Sequence, residues 1–167
     1  MRIINKEKAH ISPWVWVPSL YLAEGIPYFL VTSISVTLFA QLGVPNSEMA
    51  LFTSLIAFPW VFKPLWSPFV DVLKTKRWWV LTMQVLMAVA AGLLAWLAPQ
   101  GHFTIALILF TITAFCSATH DIAADGYYML ALNEHDQAAY VGLRSTFYRI
   151  ANIFCQSVLL MLVGWLQ

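Results

Sequence analysis

Charged side chains are scarce. Asp, Glu, Lys and Arg make up 10% of the 167 residues, against 60% apolar, and mean hydropathy is +0.73. A soluble domain of this size needs far more charge to cover its surface, so a water-soluble globular fold is excluded. Net charge is only +1, and no basic stripe interleaved with aromatics occurs, so nothing points to a nucleic-acid partner. Cysteine is nearly absent as well. Cys116 and Cys155 stand inside apolar runs without metal-ligand spacing, so they read as packing residues and imply no metal and no cofactor. No soluble domain, low-complexity tract or long linker interrupts the chain.

Long apolar runs are what the chain does have, which is the signature of membrane-spanning helices. A short basic start (Arg2, Lys6, Lys8) precedes the first run. That run goes on for roughly 25 residues, too long for the core of a cleaved signal peptide. It also holds Glu24 and Pro27, and reads as a retained helix. Five spans are expected, over 14–42, 47–70, 78–98, 103–132 and 138–166. Trp14, Trp16, Trp60, Trp66, Trp78 and Trp79 suit interfacial anchors. Turn chemistry at Gly43-Val44-Pro45-Asn46 and Pro99-Gln100-Gly101 separates neighbouring helices. The N-terminal tail, the second loop (Lys74, Lys76, Arg77) and the start of the fifth helix (Arg144) carry the basic residues, whereas the first and third loops carry none. The positive-inside rule then places the N-terminus in the cytoplasm and Gln167 outside.

Ionisable residues in hydrocarbon cost several kcal/mol, on the order of +3 for insertion at mid-membrane, and normally face a partner or a wet cavity. Helix 1 carries Tyr21, Glu24, Tyr28, Thr32 and Ser35 in steps of three and four, so they share one face. Helix 4 repeats the pattern with Thr113, Ser117, Asp121 and Asp125, beside His120. Helix 5 does so with Ser145, Arg149, Asn152 and Gln156. In helix 3 the one strongly polar residue after Thr82 is Gln84. Polar stripes must meet each other or water, which predicts a wet cavity between helices 1, 4 and 5 with helix 3 peripheral. Ala88/Gly92 and Ala114/Ala118 would allow close helix approach.

Three acids and two or three bases fall in one half of the membrane, and mutual pairing is the expected solution. Lys63, Asp125 and Arg144 read as ion pairs near the cytoplasmic mouth rather than substrate contacts. Glu24, flanked by Gly25 and Pro27, is either a proton carrier or a packed carboxyl. Arg149 either forks onto an anionic solute or is bridged to Asp121. His120 reads as a helix-packing residue. Asp121 and Asp125 sit on one helix without acids from an opposing one, so no catalytic dyad, and no enzyme, is expected.

Two stretches carry a family resemblance. Phe62-Lys63-Pro64-Leu65-Trp66-Ser67-Pro68-Phe69-Val70-Asp71, followed by Lys74, Lys76 and Arg77, resembles the loop between helices 2 and 3 of the major facilitator superfamily. Ser67 stands where that motif usually has Gly. Ser117-Ala118-Thr119-His120-Asp121-Ile122-Ala123-Ala124-Asp125-Gly126-Tyr127 is similar to the inner end of helix 4 in the AmpG-type muropeptide permeases and the related acetyl-coenzyme A transporters. Glu24-Gly25-Ile26-Pro27 resembles the turn in their first helix. The resemblance implies an all-α membrane fold in which residues 1–167 form five helices of an incomplete N-terminal half of a twelve-helix transporter, helices 6–12 or another chain supplying the rest. It further implies proton-coupled import of a small polar or anionic solute, such as an anhydromuropeptide or acetyl-coenzyme A, across a bacterial inner membrane. Asp71, Lys74, Lys76 and Arg77 would gate the cytoplasmic side. The competing expectation is a membrane interaction protein or remnant that transports nothing.

Overall fold

The computed structural model describes residues 12–97 and 100–165. Arg2, Lys6 and Lys8 of the basic tail, Pro99 of the third loop and the expected helix ends at 98 and 166 lie outside the described residues. All regular structure among the described residues is helical. Helix α1 (Pro13–Phe29) starts on a proline, whose missing N–H is no loss in a first turn. Pro27 removes the N–H that would bond the Ala23 carbonyl. The chain widens into a π turn at Leu30–Ile34 before α2 (Ser35–Gln41) resumes. Such π turns interrupt helices at sites of function more often than elsewhere. Gly43, at φ +73°, ends the element in the left-handed conformation that glycine adopts without strain.

The expected single span 47–70 is two helices instead. Between α3 (Asn46–Phe62) and α4 (Ser67–Leu73) lies a 3-10 turn at Lys63–Leu65, and the axes bend by 58°. Pro64 cannot donate to the Trp60 carbonyl, and Pro68 is suited to starting the next helix. Asp71, expected in a loop, is therefore helical. Lys76 and Arg77 are helical too, because α5 (Lys76–Leu97) begins earlier than 78. Thr75 caps it, its Oγ1 accepting from the Trp78 N–H at 3.2 Å. After α6 (Phe103–Ala131), α7 (Glu134–Trp165) likewise starts before 138. Asn133 Oδ1 accepts from the Asp136 N–H at 2.8 Å and fixes that start.

Among the described residues, three stretches are long and apolar enough to cross a membrane: α1 with α2, α5, and α6. The bent pair α3–α4 makes a fourth if counted as one span. Helix α7, with Glu134, Asp136, Arg144 and Arg149 along it, is not among them.

Helix α5 is peripheral, as its composition predicts. It packs chiefly on α6 through Met83, Met87, Ala90 and Leu94, while Val85, Val89 and Trp96 point outward. Ala88 and Gly92 do not serve close packing: Ala88 is exposed, and a Cβ added at Gly92 would meet open space. Ala114 and Ala118 are fully buried. Helices α1 and α7 approach closely at Gly25, where an added Cβ would come within 2.8 Å of Ala151 Cβ. Phe39 anchors the far end of the bundle, with Phe103 at 5.2 Å and Phe110 at 5.9 Å between ring centres.

Candidate functional site

A cavity of about 440 Å³ opens among the helices that carry the polar stripes. Tyr21, Glu24 and Tyr28 line it from α1, Asp121 and Asp125 from α6, and Arg144, Ser145 and Arg149 from α7. The sequence reading missed Trp60 and Tyr148 as lining residues and placed Lys63 at the cytoplasmic mouth. Trp60 and Lys63 bring in the bent α3 region, and Tyr148 adds to α7. Tyr148 lies one turn beyond Arg144, so the same helical spacing marks it. Trp60, expected at an interface, sits edge-on to Tyr28 with centroids 4.9 Å apart.

The stripes do not reach as far as expected. Asn152 and Gln156 are not among the lining residues. The Gly25–Ala151 contact draws α1 and α7 together just before Asn152, whose Oδ1 is buried without a partner, and Gln156 is exposed. Thr113 donates to its own helix at Leu109 O, 2.8 Å away, and Thr32 does the same to Tyr28 O at 2.9 Å. His120, fully buried, turns away from the cavity toward Gln84 of α5, with Nε2 atoms 3.2 Å apart.

Mutual pairing of the charges is realised once in this region. Arg144 meets Asp125 Oδ1 at 2.7 Å, and Tyr21 donates its hydroxyl to the same oxygen at 3.0 Å. The guanidinium also lies over the Tyr21 ring, 4.6 Å from its centre, a cation–π geometry. One latch thus ties α1, α6 and α7. The expected Asp121–Arg149 bridge is not formed, and Lys63 makes no ion pair among the described residues. Glu24 Oε2 and Asp121 Oδ1 are buried and have no hydrogen-bond partner. Two acids and two cations therefore face the same space unspent, an arrangement that calls for water, protons or a solute.

Below the latch, a second pocket of about 450 Å³ is lined by Lys63, Ser67, Asp71, Asp125, Gly126 and Met129, among others. It shares Lys63 and Asp125 with the cavity. Asp71 pairs with Lys76. The Lys76 side chain, 11% exposed, runs over Gly126, where a Cβ would come within 2.7 Å of Lys76 Cε. Any larger residue at 126 would displace that stem. Lys74 lies over the Trp78 ring at 5.8 Å. Arg77 lines a separate cleft with Trp16 and Tyr127. The four gate residues named from the motif, Asp71, Lys74, Lys76 and Arg77, together line a further pocket of about 410 Å³ with Tyr127, Leu130 and Ala131, and Asp71 also joins Lys63 and Asp125 in the pocket below the latch.

The anhydromuropeptide permease of Escherichia coli strain K12 is 30% identical over 157 residues, covering 87% of this chain and 31% of the permease. An uncharacterised protein of Schizosaccharomyces pombe is 30% identical over 146 residues, covering 77% and 28% respectively. A Rickettsia typhi protein carrying the transporter name AmpG 3 is 34% identical over 83 residues, 44% of this chain and 20% of its own. The chain spans about a third of the length of the curated relatives it matches most fully. No solved structure matches it significantly. The model of the BT1 family matches residues 24–164, a stretch that contains both motifs and, apart from Tyr21, the residues of the cavity and the latch. The resemblance read from those motifs holds, and the chain belongs to the BT1 family of major-facilitator-type permeases.

Proposed function

We propose that these helices form one wall of the solute path of a proton-coupled secondary transporter in a bacterial inner membrane. Five spans with a cytoplasmic N-terminus fit the basic-residue pattern, and α7 would be the fifth because its charges face the cavity rather than lipid. Further helices, on a longer chain or a second one, would close the cavity, in keeping with the greater length of the relatives. The solute is small, polar and anionic, and the name of the Escherichia coli relative makes an anhydromuropeptide the first candidate.

One observation carries the reading: Glu24 and Asp121 line a cavity that also holds the cations Lys63 and Arg149, and each keeps one buried oxygen without a hydrogen-bond partner among the described residues. Arg149 suits a carboxylate of the solute, because a guanidinium forks onto two oxygens. The buried carboxyls suit proton carriage, because a lone acid in a membrane is most stable when neutral. Uptake of radiolabelled anhydromuropeptide into inverted and right-side-out vesicles, with and without a proton gradient, tests this. Uptake should follow the gradient and fall on Glu24→Gln, Asp121→Asn and Arg149→Ala. Unchanged uptake in all three variants would refute the assignment.

A further inference from the structure

The peripheral helix α5 has one polar side chain in its apolar run that the transport reading leaves unused. We infer that the Gln84–His120 pair is a positioning device, which fixes the rotation of α6 so that Asp121 and Asp125 face the cavity. The inference rests on the transport reading only in treating that cavity as the solute path.

His120 is fully buried, and its Nε2 lies 3.2 Å from the Gln84 amide nitrogen. An amide nitrogen can only donate, so in this contact the imidazole Nε2 accepts, and the ring's Nδ1 is buried without a hydrogen-bond partner among the described residues. A lone amide or imidazole in an apolar helix contact is costly. The two groups therefore select the rotation in which they meet. Successive residues on a helix are about 100° apart. With His120 turned to α5, Asp121 is carried round to the cavity, and Asp125, one turn further, lies beneath it. Both do line that space.

The middle of the contact, beside the pair, offers little that would set this rotation. There Met83, Met87 and Cys116 form one cluster with Trp79 packed against it, and Ala118 lies nearby on α6, while Leu94 packs at one end of the contact and the Lys76 stem crosses Gly126 at the other. Thioether chains adapt to several packings, and a surface of alanines offers no single socket. A single buried polar residue fixes register between packed helices in the same way elsewhere, because the wrong alignment strands it.

The experiment reads rotation without needing transport. In the full-length gene product, Cys116→Ala and Cys155→Ser remove the native thiols, and Asp121→Cys supplies a reporter for a charged, membrane-impermeant methanethiosulfonate. Reaction should be rapid with Gln84 and His120 present. It should slow about fivefold in the double variant Gln84→Leu/His120→Leu, a loss in the range of one interhelical hydrogen bond. The exchange Gln84→His/His120→Gln keeps the pair and should restore it. The double leucine variant leaves no stranded polar group, so membrane abundance, followed by immunoblot, should stay level while the rate changes. In the parent with Asp121 intact, anhydromuropeptide uptake should follow the same order, with Vmax falling and KM nearly constant. Equal labelling rates in all three backgrounds, or an exchange variant as slow as the double leucine, would overturn the inference. Absence of uptake by the unsubstituted protein, with the labelling order intact, would instead count against the transport reading alone.

Discussion

Helix α6 is held on two of its sides by different means. On one side α5 meets it chiefly through apolar residues such as Met83, Met87 and Leu94, with Gln84–His120 as the side-chain hydrogen bond across that contact among the described residues. On the other, α1 and α7 meet it through an ion pair, a tyrosine hydroxyl and a stacked guanidinium, beside carboxyls with unpartnered oxygens. Lipid tails resemble leucine closely enough that apolar faces gain little by preferring one neighbour. Directional groups must therefore decide which helix faces which, and the molecule concentrates them on the α1–α6–α7 side. On the proposed transport reading, that side is the one that can change state, through exchange of charges and protons. The α5 side can only pack.

The comparison is broken most severely at Gly25. A leucine there drives its Cβ into Ala151 and Tyr148, and overpacking of this kind costs about 3 kcal/mol. Gly25→Leu should lower the melting temperature of the detergent-purified protein and abolish uptake, and Ala151→Gly should recover part of the loss. If Gly25→Leu melts normally, α1 and α7 do not approach as described. The latch comes next. Arg144→Met leaves Asp125 with only Tyr21, and removal of one partner from a buried pair costs about 3–5 kcal/mol. Both side chains here keep about a third of their exposure, so solvent screening reduces the expected loss to roughly 1–2 kcal/mol. The joint variant Arg144→Met/Asp125→Leu should be more stable than Arg144→Met alone. An additive double variant would show that the pair is not coupled.

Much of this division is legible in the sequence, and the failures have physical causes. Steps of three and four placed Tyr21, Glu24, Asp121, Asp125 and Arg149 on cavity faces, because helical periodicity survives any packing. The same steps ran too far on α7, to Asn152 and Gln156, because periodicity says nothing of where two helices close against each other. Gly25 was visible as a small residue, but Ala151, its counterpart 126 positions away, could not be paired with it from spacing. Trp60 looked like an interfacial anchor because hydropathy does not register the bend that Pro64 creates. Charges in one half of the membrane suggested general pairing, yet only Asp125 and Arg144 met, since pairing needs contact geometry and not merely shared depth.

The smallest effects sharpen the comparison within α5 itself. Met87 is 5% exposed and faces α6, whereas Val89, 56% exposed, faces outward. Truncating a buried methionine costs about 2 kcal/mol at the lower end of core substitutions. Truncating a residue away from packed contacts costs under about 0.5 kcal/mol. Met87→Ala should therefore destabilise the purified protein measurably, and Val89→Ala should leave its unfolding in denaturing detergent unchanged. The two positions lie about half a turn apart on one helix, so propensity and depth are nearly matched and only the neighbour differs. Equal losses at both would mean that a further protein surface covers the outer face of α5, and its role as the lipid-facing wall would have to be given up.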